Sequence, residues 1–179
     1  MKRGFLSLKK AETMGMPFQM IFSLFLIAVF FVVAFFSIMN FLSVQNCAQV
    51  GLFQRELQEK IDSIWNAQSA ENVFEGKLPG SVEYVCFLNF TRPKTLTGLD
   101  SEGRDIANKV YNDLSVFYKF KKANLFLYPT KGACDMSYKL LKHIDASSTS
   151  NPYCIKNTGK ISISLYKGFD DVYVKVRQQ

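Results

Sequence analysis

Apolar and polar positions change their rhythm along this chain, and each rhythm specifies a different element. No charged residue occurs between Thr13 and Gln54, and Met20 to Met39 (MIFSLFLIAVFFVVAFFSIM) is almost wholly apolar. About twenty such residues, rising about 1.5 Å each in a helix, cover the roughly 30 Å hydrocarbon core of a bilayer. A helix apolar on every face has no place on the surface of a domain this small. Residues 17–44 are therefore expected to form a transmembrane helix.

From Gly51 to Ala70 the pattern becomes amphipathic. Phe53, Leu57, Ile61, Ile64 and Trp65 recur at spacings of four, four, three and one on one face, with Arg55, Glu56, Gln58, Glu59 and Asp62 elsewhere. These five apolar residues are expected to pack the helical extension, residues 45–70, onto a sheet, with Trp65 as the anchoring knob. Pro17 suits a first helical turn, and no further proline occurs before Leu78. Span and extension would form one rod of roughly 80 Å, with Gly51 as the natural place for a bend.

Beyond Gly76 the period shortens. Val82 to Phe90 reads as a strand buried on much of both faces. Ile106, Val110, Leu114 and Phe117 mark a second helix, with Asp100 or Ser101 as its N-cap. Strands are expected at Asn124 to Tyr128, Tyr138 to Ile144, Tyr153 to Lys156, Lys160 to Tyr166 and Val172 to Val176. The last two alternate apolar with polar residues, as in a sheet covered on one side. The fold class is α+β: a long N-terminal transmembrane-plus-amphipathic helix packed on an antiparallel sheet head, residues 71–179, with one further helix.

Charge gives the orientation. Lys2, Arg3, Lys9 and Lys10 precede the span with Glu12 alone opposing them, so residues 1–16 are expected to be cytoplasmic and residues 45–179 extracytoplasmic at the cell membrane. The net charge of +7 falls to +4 without that segment. The remaining Lys and Arg are scattered, which argues against nucleic-acid binding. The apolar run is longer than that of a cleaved signal and ends without a small-residue cleavage pattern, so it is read as an uncleaved signal anchor. Val44-Gln45-Asn46 before Cys47 lacks the small residue of a lipid-attachment site.

Cys47, Cys86, Cys134 and Cys154 all follow the span, in the compartment where disulfides persist. An even count fits two bridges in any of three connectivities. The short loop between Cys134 and Cys154, whose closure is worth about 3 kcal/mol in the chain-entropy estimate, favours pairing these two and, by default, Cys47 with Cys86. The spacings do not suit zinc, since no C-x-x-C pair exists and His143 is the sole histidine. No cofactor is expected. Asn89-Phe90-Thr91 is an N-glycosylation acceptor pattern.

The layout resembles that of type IV pilin-like subunits. The resemblance rests on the short basic leader, the helix apolar in its first half and amphipathic in its second, and the disulfide-containing head. It implies peptidase cleavage after a glycine beside the apolar run and assembly of a filament through the N-terminal helix. Lys2-Arg3-Gly4-Phe5 offers such a glycine with Lys9 at the fifth position after it, where many bacterial members carry glutamate; a cut after Gly15 puts Met20 there. Cys47, Trp65, Glu83-Tyr84-Val85-Cys86-Phe87 and Asn151-Pro152-Tyr153-Cys154 are also similar to single-pass membrane proteins of archaea.

Catalytic patterns are lacking. No G-x-S-x-G, H-E-x-x-H, phosphate loop or dinucleotide-binding glycine pattern occurs, and the acid pairs Asp170-Asp171 and Asp100-x-Glu102 read as turn and cap residues. The chain is expected not to be an enzyme. The leading expectation is a structural or protein-interaction role at the cell surface; a pilin-like filament subunit and a hydrolase of a surface polymer are the alternatives. Expected partners are the lipid bilayer, other copies through residues 18–44, where Phe22, Phe25, Phe30, Phe31, Phe35 and Phe36 are dense, and other cell-surface proteins.

Overall fold

A computed structural model of the chain describes residues 16–146 and 150–177, with side chains from Phe18 onward. The basic segment and the glycines at positions 4 and 15 lie outside the described residues. The chain divides into two compact units, Met1–Val44 and Gln45–Gln179. Helix α1, Met16–Trp65, contributes its first part to one unit and its second part to the other.

In the first unit every side chain from Phe18 to Val44 is exposed. The helix is long and apolar enough to cross a membrane. Its two mid-span hydroxyls fit that solvent: Ser23 Oγ donates to Met20 O at 3.0 Å and Ser37 Oγ to Val33 O at 2.8 Å. Each thus returns its proton to the helix backbone, so neither hydroxyl needs a partner from lipid.

The second unit is α+β with two four-stranded sheets. Strands β1 (Ala70–Gly76), β7 (Ile161–Lys167), β8 (Val174–Arg177) and β5 (Ile144–Asp145) form one sheet in the order β1-β7-β8-β5. Strands β4 (Tyr138–Lys139), β3 (Leu125–Tyr128), β2 (Tyr84–Phe87) and β6 (Tyr153–Lys156) form the other, in the order β4-β3-β2-β6. Every pairing is antiparallel except β5 with β8. One core unites them: Val50, Phe53, Leu57, Ile61 and Ile64 of α1 share it with Ile161, Ile163 and Leu165 of β7 and with Val85, Phe87, Leu125 and Leu127 of β2 and β3. The opposite face of the second sheet, through Cys86 and Phe126, packs on Val110 and Leu114 of helix α2 (Ser101–Tyr118). That sheet is covered on both faces, which explains the unbroken apolar run of its strands.

Several expectations need correction. The amphipathic helix ends at Trp65, short of Ala70. Ala67 N tightens the last turn onto Ile64 O at 3.2 Å, Lys167 Nζ donates to Trp65 O and Ala67 O at 2.8 Å each, and the chain then enters β1, which pairs with β7 over seven residues. A lysine on the last carbonyls satisfies acceptors that no further turn supplies. Strand β1 escapes sequence detection because Phe74 is the one large apolar residue on its inward face. The segment Tyr138 to Ile144 is two short strands in different sheets. Phe117 is 76 % exposed, because after Leu114 the buried stripe of α2 advances by four residues to Tyr118, whose ring meets Phe126 edge-on at 5.8 Å. Val172 is likewise exposed, ahead of β8.

Two contacts test this packing. Phe53 meets Phe74 edge-on at 5.4 Å and covers Gly76, where an added Cβ would come within 2.6 Å of the Phe53 ring. Gly76→Ala is expected to lower the stability of the head by about 1–3 kcal/mol, measured by denaturant unfolding of the full chain in detergent. Between β3 and α2, Tyr128 Oη donates to Asp113 Oδ2 at 2.6 Å. That bond to a carboxylate, followed by partial burial, pushes the Tyr128 hydroxyl up from near 10 to about 12. Folding favours the protonated phenol, so this contribution is complete below about pH 10 and fades as pH rises toward 12. Ultraviolet titration is expected to show Tyr128→Phe removing one tyrosine from the late-ionising group, and the variant is expected to lose less stability across that window.

Candidate functional site

Beside its apolar stripe, the second half of α1 carries a polar one. Cys47, Gly51, Gln54, Gln58, Asp62 and Trp65 follow each other at three- and four-residue steps and so share a face. Residues 134–143 run along that face and are fastened to it at every step. Cys47 is bonded to Cys134, and Met136 Sδ lies 3.6 Å from where a Cβ on Gly51 would stand. Gln54 Nε2 donates to Met136 O at 2.7 Å, while Lys139 Nζ donates to Gln54 O at 3.1 Å. Gln58 bonds the Lys142 backbone twice, accepting from its N–H at 2.9 Å and donating to its carbonyl at 3.3 Å.

At the end of the strap His143 Nδ1 lies 2.9 Å from Asp62 Oδ1, which also accepts from Gln58 Nε2 at 2.8 Å. The Trp65 indole stacks on the His143 ring with centroids 3.8 Å apart and planes 7° from parallel, and its Nε1 donates to Val172 O at 3.1 Å. Trp65 is thus no buried knob. It is 36 % exposed and seals the edge between the helix end and two loops, while Phe53, Leu57, Ile61 and Ile64 are at most 3 % exposed in the core. Cys134, Asp135 and His143 all have left-handed backbone, with φ of 49°, 60° and 61°. Such residues carry a local conformational cost, which the fastenings on either side offset.

The cysteine pairing differs from the sequence expectation. Cys47 joins Cys134, and Cys86 joins Cys154. The second bridge follows from register, since Cys86 and Cys154 face each other across β2 and β6. The first follows from the strap, which turns back onto α1 at Cys134. The loop-length argument for Cys134 with Cys154 fails because strand pairing, invisible in the spacing, decides which thiols meet.

The remaining candidates are dispersed. Asn89 is half-buried, and its Oδ1 accepts from Thr91 N at 2.9 Å and Thr91 Oγ1 at 2.7 Å. Its turn is pinned by the buried Asn151, whose side chain exchanges 2.8 Å bonds with both Asn89 N and Asn89 O. Asp100 Oδ1 caps α2 through Gly103 N at 2.7 Å. Asp171 accepts from Lys175 Nζ at 2.5 Å and from Gly168 N at 2.9 Å, and these bonds hold its carboxyl below the usual range. Among the described residues no three His, Cys, Asp or Glu side chains gather as a metal would require. A groove of about 420 Å³ lies between α1 and β1, and its charged lining is Glu56, Glu75, Lys77 and Lys160. His143 interacts with Asp62, Trp65 and, through its carbonyl, with Val174 N. None of these partners brings a hydroxyl or thiol to the imidazole.

Gln58 and Asp62 were legible only as the outer face of an amphipathic helix, and Gln54 only as the end of the charge-free run. A faint signal lay in their shared face with Cys47, because a polar stripe ending on a cysteine needs a covering partner.

Non-reducing peptide mapping is expected to recover 47–134 and 86–154 peptides, and a 134–154 peptide would contradict the fold. Removing the first bridge by Cys47→Ser with Cys134→Ser is expected to cost about 2–5 kcal/mol. A double-mutant cycle on Trp65→Ala and His143→Ala is expected to give a coupling of about 0.5–1.5 kcal/mol in urea melts, as for other stacked ring pairs.

No protein-family model, curated protein or solved structure matches this chain.

Proposed function

We propose that the protein is a single-pass membrane protein with its N-terminus in the cytoplasm, and that its head, residues 45–179, acts outside the cell through protein–protein contacts or surface structure. The observation that carries this reading is the division of α1. Its first part exposes Phe, Ile, Leu and Val on all sides, and its second part is built into a disulfide-bonded core. A helix with those two environments ties a folded head to a bilayer. The basic residues preceding the span favour the cytoplasmic assignment of the N-terminus, and two disulfides favour an oxidising compartment for the head. Interactions through surfaces fit a head whose sole histidine is committed to Asp62 and Trp65.

A pilin-like filament subunit is the second reading. The support for it is that the phenylalanine-rich helix is exposed throughout residues 18–44 and is available to other helices as much as to lipid. The mature N-terminus separates the two, since Phe5 or Met16 at the start of the native chain is the product of leader cleavage and Met1 or Lys2 is that of an uncleaved anchor.

For the leading reading, the full chain is expected to remain with membranes through an alkaline carbonate wash. Protease added outside intact cells is expected to remove the head while an N-terminal tag stays protected. Release into the wash, or a protected head with an accessible tag, would contradict it.

A further inference from the structure

The C-terminal tip of α2 carries a surface that the fold does not use. Tyr118 turns inward, with its ring 5.8 Å from Phe126 and 5.2 Å from Tyr138, and so fixes which side chains turn out. Those are Val116, Phe117 and Phe120, which are 73 %, 76 % and 95 % exposed. Lys119, Lys121 and Lys122 are interleaved with them, all exposed. None of the three lysines makes an ion pair among the described residues. Asp113, the one acid in the second half of the helix, is engaged by Tyr128. Across a shallow groove stands Leu140, half exposed.

We infer that this tip is a second membrane contact, in which Phe117 and Phe120 enter the interface of an anionic phospholipid surface and Lys119, Lys121 and Lys122 meet its headgroups. Scattered exposed apolar residues are ordinary, but large ones grouped on one tip and ringed by charges of one sign select an apolar partner with an anionic rim. A bilayer containing acidic lipid has both properties: aromatic rings settle at the headgroup level and each lysine near the surface adds about fivefold to partitioning. A second copy of the tip fits poorly, since a two-fold contact would set three lysines against three. The inference goes beyond anchoring by α1, because it concerns the head itself and holds whether or not the span is retained.

Full-length protein with Phe120→Trp, reconstituted in nanodiscs, reports contact through quenching by lipids brominated on their acyl chains, with the native chain, which keeps Trp65, as the baseline. Position 120 is solvent-facing, so the fold is retained, and far-ultraviolet circular dichroism verifies that. Quenching beyond baseline is expected when phosphatidylglycerol is present, either in the nanodisc itself or in brominated vesicles added to it. Little is expected with phosphatidylcholine alone. Adding Lys119→Glu, Lys121→Glu and Lys122→Glu is expected to reduce partitioning by a hundredfold or more, from about fivefold per lysine. Quenching that never exceeds the baseline, that is equal in neutral lipid, or that survives the three substitutions would overturn the inference. So would a change in Phe120→Trp emission produced by a soluble acidic polymer but by no lipid.

Discussion

The head depends on one helix serving as core and as spine at once. Within the second half of α1, Val50, Phe53, Leu57, Ile61 and Ile64 are withdrawn from water into a core that both sheets share. Each such burial is worth about 1.5–3 kcal/mol before the entropy of ordering is counted. The neighbouring stripe, from Cys47 to Trp65, is polar and would be costly to cover with apolar surface. The strap formed by residues 134–143 covers it instead with matched partners: a disulfide, backbone carbonyls for Gln54 and Gln58, and an imidazole for Asp62. Buried polar groups are tolerable when satisfied, and here the satisfaction also sets the register of strap against helix.

That register propagates. The strap leaves the second sheet at β4, crosses the polar face of α1 and enters the first sheet at β5, so the two sheets are tied together by the segment that ties both to the helix. There β5 pairs with β8 in parallel, Ile144 opposite Val174 and Asp145 opposite Lys175. Trp65 closes the lower edge by touching both loops that flank this pair, through the His143 ring and the Val172 carbonyl.

Periodicity revealed the elements far better than their partners. The stripe at Phe53, Leu57, Ile61 and Ile64 and the alternation of Ile161, Ile163 and Leu165 report side-chain burial directly, the charge-free run reports a helix apolar on every face, and Asp100 reports a helix start through its capping oxygen. Strand β1 was hidden because a strand with Glu71, Val73 and Glu75 outward and one large residue inward leaves almost no alternation to read. The cysteine pairing was hidden for a different reason. It depends on which strands are neighbours, a tertiary property, and local loop length pointed the wrong way. The strap and its partners on Gln54, Gln58 and Asp62 were hidden for both reasons, since polar residues on a helix look solvated until something is found lying on them.

For function, the consequence is that the head is continuous with its own spine: residues 50–65 are core, not linker. The most direct test is hydrogen exchange by mass spectrometry on the full chain in nanodiscs. Amides of residues 53–64 are expected to exchange only with those of β3 and β7, in one cooperative opening of the head. Early exchange of 53–64 while β3 and β7 remain protected would show the helix to be a dispensable tether and would contradict the account.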